Sequence, residues 1–262
     1  AGNYAQTGGT FSDPNPLSHA FSVAGSFSVP YSTSGVFNRY TGSGVNASDP
    51  YIIRSIYDLQ AMNSDLDSHF KLNNSLDLSA AASWNGGEGF NPIGTQGNPF
   101  TGHLHGNGQV LKNLNMHRNG NYSGLFGYVS GNVDTLGLED ATVYGGSYTG
   151  ALAGFNAGTL TNVYTTGSHT VSGVSFVGGL VGGNTGSIAN AYSSARVMGT
   201  DSVGGLVGTN SGAGTIDKTY AMGYVNGTSH TGGLVGANTS TAPSSVSNSF
   251  WDKKMTGQET SA

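Results

Sequence analysis

Apolar and polar positions along this 262-residue chain change rhythm three times. Up to about residue 40 they alternate. Phe21-Ser22-Val23 and Ser26-Phe27-Ser28-Val29 place a large apolar side chain at every second position, the period of a strand with one buried face. Pro14, Pro16 and Pro30 confine pairing there to edges or turns. After Ser55, a candidate N-cap, Ile56, Leu59, Met62 and Leu66 recur at three- and four-residue steps, which predicts a short amphipathic helix near residues 55–66. From Phe70 to Met116, short runs such as Phe70-Lys71-Leu72 and Val110-Leu111-Lys112-Asn113-Leu114 stand between Gly, Asn and Pro turns and read as short strands. From Asn121 onward a single phrase takes over.

That phrase is Val177-Gly178-Gly179-Leu180-Val181-Gly182-Gly183-Asn184, with echoes around Leu125, Leu152, Leu206 and Leu234. The leucines are 27, 28, 26 and 28 residues apart, a period that marks a solenoid, propeller or array. Four residues after the leucine come Asn156, Asn184, Asn210 and Asn238, with Val129 in the first copy. Farther on, Tyr164, Tyr192, Tyr220 and Phe250 form an aromatic column. Stacking one period per rung, about 4.8 Å apart, explains such columns: inward Leu, Val, Ile and Tyr meet their own kind, and asparagine amides bond up the stack. Three short strands per rung and about eight rungs would make a rod about 40 Å long. Propeller blades need about 40 or more residues, and a leucine-rich repeat needs more leucines at its own spacing. The fold class is therefore all-β, a parallel β-solenoid (β-helix), with the helix as a cap that blocks edge pairing. Residues 1–35 form a strand segment or docking arm. Residues 36–251 form the solenoid, with the repeats at about 122–250, and residues 252–262 are a polar tail.

Composition narrows the function. Glycine is abundant at 44 residues and charge is sparse at 9%, so charge-driven disorder is excluded. With 9 Lys+Arg and a net charge of -5, neither nucleic acid nor an anionic membrane is a natural partner. Cysteine is absent, which removes disulfides and thiolate metal sites. No apolar run approaches the roughly 18 residues of a membrane span. The chain opens Ala1-Gly2-Asn3-Tyr4 without a leader pattern, and is expected to be a processed chain or part of something longer.

The Gly-Gly-Leu-Val-Gly phrases with trailing Asn-x-Gly and Asn-x-Tyr resemble GLUG repeats of large bacterial surface exoproteins. These include filamentous-haemagglutinin-type adhesins and regions attached to some immunoglobulin A-cleaving peptidases. Phe37-Asn38-Arg39-Tyr40, Asp49-Pro50-Tyr51, Trp84-Asn85, Phe90-Asn91-Pro92-Ile93-Gly94 and Phe100 through Gly108 resemble what precedes the repeats in such proteins. The resemblance covers about residues 36–251. It implies a right-handed parallel β-helix, export and a surface role, and brings no catalytic residues. His105 departs from it, since an acidic residue is expected at that place.

Candidate chemistry is thin. A β-helix polysaccharide lyase or glycosidase needs carboxylates on neighbouring rungs. Among Asp134, Glu139, Asp140, Asp201 and Asp217 no acid has an acidic partner one period away. The better enzyme candidates are Asp65, Asp67, Asp77 and Glu88, which equally suit a helix end and solvated turns. His103 and His105 share a strand face, and with His117 they would make a metal site, or else two solvated histidines. No cofactor is implied. The expected function is a non-enzymatic structural or adhesive module, secreted or displayed on the cell surface, that stacks end to end into extracellular filaments or continues a longer solenoid, with host or matrix glycans as further partners. Residues 1–35 would then pair with an open carboxyl end of the next molecule. The alternatives are a glycan-binding module using outward Ser, Thr, Asn and Tyr, and a polysaccharide-degrading enzyme.

Overall fold

The computed structural model describes residues 2–6, 11–13, 15–29 and 37–262. Pro14, Pro30 and part of the expected docking arm lie outside them. The chain is a parallel β-solenoid of about eight turns. The main line of its eleven-stranded sheet runs through Tyr51–Ile53, His69–Leu72, His103–His105, Asn132–Glu139, Thr159–Thr166, Ser187–Ser193, Thr215–Ala221 and Val246–Ser247. Two five-stranded sheets run from Asn115–His117 to Val225–Asn226 and from Phe126–Val129 to Val235–Ser240. A four-stranded sheet runs from Thr149–Gly150 to Ser229–Gly232. Parallel crossovers of this kind are right-handed in nearly all proteins.

Four strands per full rung replace the three expected, because the repeated phrase is two strands and not one. Ser175–Gly178 and Val181–Asn184 belong to different sheets, with Gly179-Leu180 turning the corner. The turn is tight. A Cβ on Gly178, Gly204 or Gly232 would lie 2.1, 2.1 or 1.9 Å from the carbonyl oxygen of Val181, Val207 or Val235. Inside the corner, Leu125, Leu152, Leu180 and Leu206 are 0% exposed and Leu234 2%, so the leucine column is the spine of the core. A second glycine column sets the rung spacing. A Cβ on Gly131 or Gly158 would stand 2.0 Å from the carbonyl of Gly102 or Gly131, and on Gly186 2.1 Å from that of Gly158.

The aromatic column faces outward, contrary to the expected inward stack. Tyr192 is 37% and Phe250 65% exposed. Strict alternation from Leu160 would turn Tyr164 inward, but Asn162 takes a left-handed conformation (φ 55°) and shifts the phase by one residue. Val163 and Thr165 then point in and Tyr164 points out. Asn190 and Lys218 do the same before Tyr192 and Tyr220.

The expected helix is present. Helix α1 (Ile56–Ala61) continues as a 3-10 turn, Met62–Ser64. Ser55 and Asp58 close a capping box at its start. Two side-chain amides then finish the amino end of a sheet, standing in for the peptide groups of a missing strand. Gln60 accepts from Asn91 N–H (2.9 Å) and donates to Asn91 C=O (3.0 Å). Asn63 donates to Pro92 C=O (3.1 Å) and accepts from Gly94 N–H (3.0 Å). The next residue over, Ile93, bridges in parallel to Phe126, the first strand of that sheet.

The amino-terminal segment packs over this shoulder of its own chain. Tyr4–Ala5 pairs with Phe27–Ser28, and Phe11–Ser12 with Phe37–Asn38. Phe21-Ser22-Val23 is not a strand. The rings of Tyr4, Phe11, Phe21, Phe27, Phe37, Tyr57 and Trp84 interlock, and Phe27 and Phe37 are 0% exposed. The aromatic side chains of its described residues are thus engaged with their own chain.

The carboxyl end is covered too, where an open edge was expected. After Phe250–Trp251 comes helix α2 (Lys253–Thr256), capped by Asp252 and ended by Gly257 at φ 71°. The tail then folds back. Gly233 N–H donates to Thr260 C=O (3.0 Å), repeating the Gly205-to-Gly232 bond (3.3 Å) one rung on. The Ser261 hydroxyl accepts from Val235 N–H (2.8 Å), and Gln258 donates to Val225 C=O (2.9 Å). Residues 260–262 therefore lie in the register of a further rung.

Candidate functional site

The asparagine column is a buried amide ladder. Asn156 donates to Asn184 (2.8 Å), Asn184 to Asn210 (2.8 Å) and Asn210 to Asn238 (3.1 Å). Asn156, Asn184 and Asn210 are 0% exposed, and each also donates to a carbonyl at its own turn, Gly158, Gly186 or Gly214. Every amide is occupied along the stack, so this column holds rungs in register and offers nothing to a ligand. On the outward face, Tyr164 and Tyr192 stack at 5.0 Å, and Tyr220 pairs in register with Phe250.

The histidine cluster assembles differently from the expectation. His103 and His105 do share a face, but His117 stacks on Tyr144 (4.6 Å) in another sheet. Asp134 joins the pair instead. One carboxylate oxygen meets His103 Nε2 and the other meets His105 Nδ1 at 2.5 Å. Burial pushes the Asp134 carboxyl upward, yet hydrogen bonds with His103, Thr135 and His105 outweigh it and hold its pKa below the usual carboxylate value. His69 lies against His103 at 5.7 Å, and the group borders a recess of about 270 Å³ with Ala47 and Pro50. Among the described residues, no three His, Asp or Glu side chains are arranged to hold a metal. The signal for Asp134 was the period itself, since Asp134 lies one rung after His105 in register.

The acids near the amino end are scattered. Burial, opposed by hydrogen bonding to Ser68 and reinforced by the neighbouring Asp67, raises Asp65 to about 6. Asp77 accepts from Asn113 (2.9 Å) and from Ser79 N–H (2.9 Å) in a turn. Glu88 pairs with Arg118 at 3.1 Å. Asp65 is thus raised toward neutrality, and Asp77 is held low by its hydrogen bonds to Asn113 and Ser79. Within the repeats, Glu139 pairs with Lys112 (2.8 Å), and Asp201 bonds His230 (2.6 Å) and Ser229 (2.6 Å) across rungs. These groups serve rung-to-rung contact.

One surface feature escaped the sequence reading. Tyr122, Tyr148 and Phe176 form a column of stacked rings with centroids 5.0 and 4.6 Å apart. Tyr128 and Phe155 stack beside it at 4.8 Å, and Phe155 meets Tyr148 edge-on at 5.5 Å. All five are half-buried. The signal was present, since these rings recur close to the leucine period.

A family model for the GLUG motif matches residues 175–198, so the chain carries a GLUG repeat region. Halomucin of Haloquadratum walsbyi is 46% identical over 182 residues, covering 66% of this chain and 2% of that protein. A candidate Gly-rich membrane protein of Evansella cellulosilytica is 39% identical over 144 residues, 52% of this chain and 16% of that one. The chain thus spans a small part of either relative. A crystal structure of a candidate immunoglobulin A1 protease from Bacteroides ovatus superposes with a TM-score of 0.63 at 22% identity, covering 80% of this chain and 69% of that one. That likeness shows a shared fold.

Proposed function

We propose that this chain is a non-enzymatic, rigid structural segment of a much larger extracellular or surface-displayed protein, extending it and lending it adhesive surface. The observation that carries this reading is the closed, in-register amide ladder from Asn156 to Asn238, which commits buried polar groups to rung stacking. The small share of halomucin that the similarity spans supports an extension module over a self-contained catalyst. Among the described residues, no helix is long and apolar enough to cross a membrane. Partners then arise at the ends. Residues 260–262 already hold the register of a further rung, so more of the same solenoid would continue from them.

The test pairs activity with location. The purified chain, incubated with a panel of polysaccharides and with immunoglobulin A1, should release no reducing ends or fragments. Antibody raised against it should label intact cells of the source organism. Turnover abolished by Asp65→Asn would replace this reading with a hydrolase, and labelling confined to the cell interior would remove the surface role.

A further inference from the structure

A cleft of about 370 Å³ opens where the amino-terminal shoulder meets the first repeats. Tyr122, the first ring of the aromatic column, lines it together with Asn91, Gln96, Asn98, Arg118 and Asn121. The Gln96 and Asn98 side chains are exposed and make no hydrogen bond within the described residues, which leaves paired donors and acceptors facing the cleft. Arg118 is already committed. It pairs with Glu88 (3.1 Å) and donates to Phe90 C=O (3.1 Å), so the local charge is balanced. A tyrosine ring beside amide groups, with the one lining cation already paired, suits a neutral polyhydroxylated ligand rather than an anion.

A second observation points the same way. Tyr122, Tyr148 and Phe176 all have positive φ, at 60°, 59° and 57°. Bulky residues are outliers there. In the other left-handed column of the same rungs the fold uses Thr135, Asn162 and Asn190, and asparagine is the residue that tolerates this backbone. Ring stacking and partial burial offset this strain, and the half-buried rings keep part of their surface open to solvent. The aromatic choice is confined to the three rungs beside the cleft. In the next two rungs the column changes to Ser202 and His230.

We infer that the cleft and the ring row leading from it bind a neutral oligosaccharide, with sugar faces against Tyr122 and its neighbours and hydroxyls bonded by Gln96 and Asn98. This goes beyond the structural role, which stands without it. The test is calorimetric titration of the whole chain with cellohexaose, maltohexaose, mannohexaose and chitohexaose at millimolar concentration. At least one should bind. Tyr122→Asn keeps a residue suited to the left-handed backbone while removing the ring, and should weaken binding about tenfold, equivalent to about 1.4 kcal/mol. Gln96→Ala, at an exposed position, should weaken it several-fold, and Tyr192→Ala on the other ladder should leave it unchanged. Absence of binding to all four sugars overturns the inference. So does native affinity in both Tyr122→Asn and Gln96→Ala, or equal loss in Tyr192→Ala. None of these outcomes bears on the rod, which is tested by mass and by activity.

Discussion

Asn184 sits in the middle of the ladder, accepting from Asn156 and donating to Asn210. Asn184→Ala would leave a buried amide donor on one side and a buried acceptor on the other, at about 1–3 kcal/mol for each unsatisfied group. Urea unfolding should show a larger loss there than for Asn238→Ala, at the end of the row. Gly158→Ala would drive a methyl into the Gly131 carbonyl, and backbone can relieve that only by spreading the rungs. A loss of at least about 1–3 kcal/mol is expected in the same assay. His169 is the residue-scale pH sensor. Burial lowers its pKa, against smaller raising effects of the Leu138 backbone, Asp140 and Glu139. Its Nδ1 accepts from Ala141 N–H (2.7 Å), while Nε2 is buried without a partner. The unfolded chain therefore binds a proton that the folded chain resists, and stability falls as pH drops below the ordinary histidine value of 6.5. Asp65, raised to about 6, acts in the opposite sense over the same range, so the test is differential: from pH 7 to pH 5 the urea midpoint of the native chain should fall relative to that of His169→Gln. At this scale the asparagine column was legible because its period matched the leucines. The facing of Tyr164, Tyr192 and Tyr220 was not, because one left-handed residue per strand resets the alternation.

At the scale of elements, the shoulder helix was legible from Ser55 and the spacing of Ile56, Leu59 and Met62. Its task was not, because Gln60 and Asn63 become strand surrogates only once the rung they finish is in place. Gln60→Leu or Asn63→Leu keeps helix-compatible bulk but removes the paired donor and acceptor that Asn91 to Gly94 use. Hydrogen exchange at Asn91, Gly94 and the Phe126–Val129 strand should accelerate, while exchange at Val207–Gly212 stays as in the native chain. Equal acceleration along the whole solenoid would show that the amides support the fold generally and do not finish an edge. The split of the repeated phrase into two strands escaped a reading by apolar runs for a similar reason. Gly-Gly-Leu looks continuous in pattern, and the close approach of Gly178 to the Val181 carbonyl is a property of the corner.

For the whole molecule, period and composition were enough to establish a parallel solenoid of about eight rungs, since no other packing brings five leucines and four asparagines into columns. The closure of its ends was not legible. A polar sequence such as Gln258-Glu259-Thr260-Ser261 carries no apolar signal, and acts through backbone and hydroxyl groups that find the last rung. Exposed sheet edges drive self-association, so the shoulder over the first rung and residues 258–262 over the last govern whether this 262-residue segment associates on its own. The most direct test is the solution mass by light scattering of the whole chain and of a chain ending at Gly257. The whole chain should run as a 26.6 kDa monomer, and loss of residues 258–262 should produce concentration-dependent association through the uncovered rung. Filaments from the whole chain, or an unchanged monomer after truncation, would contradict an in-register rod closed by its own tail.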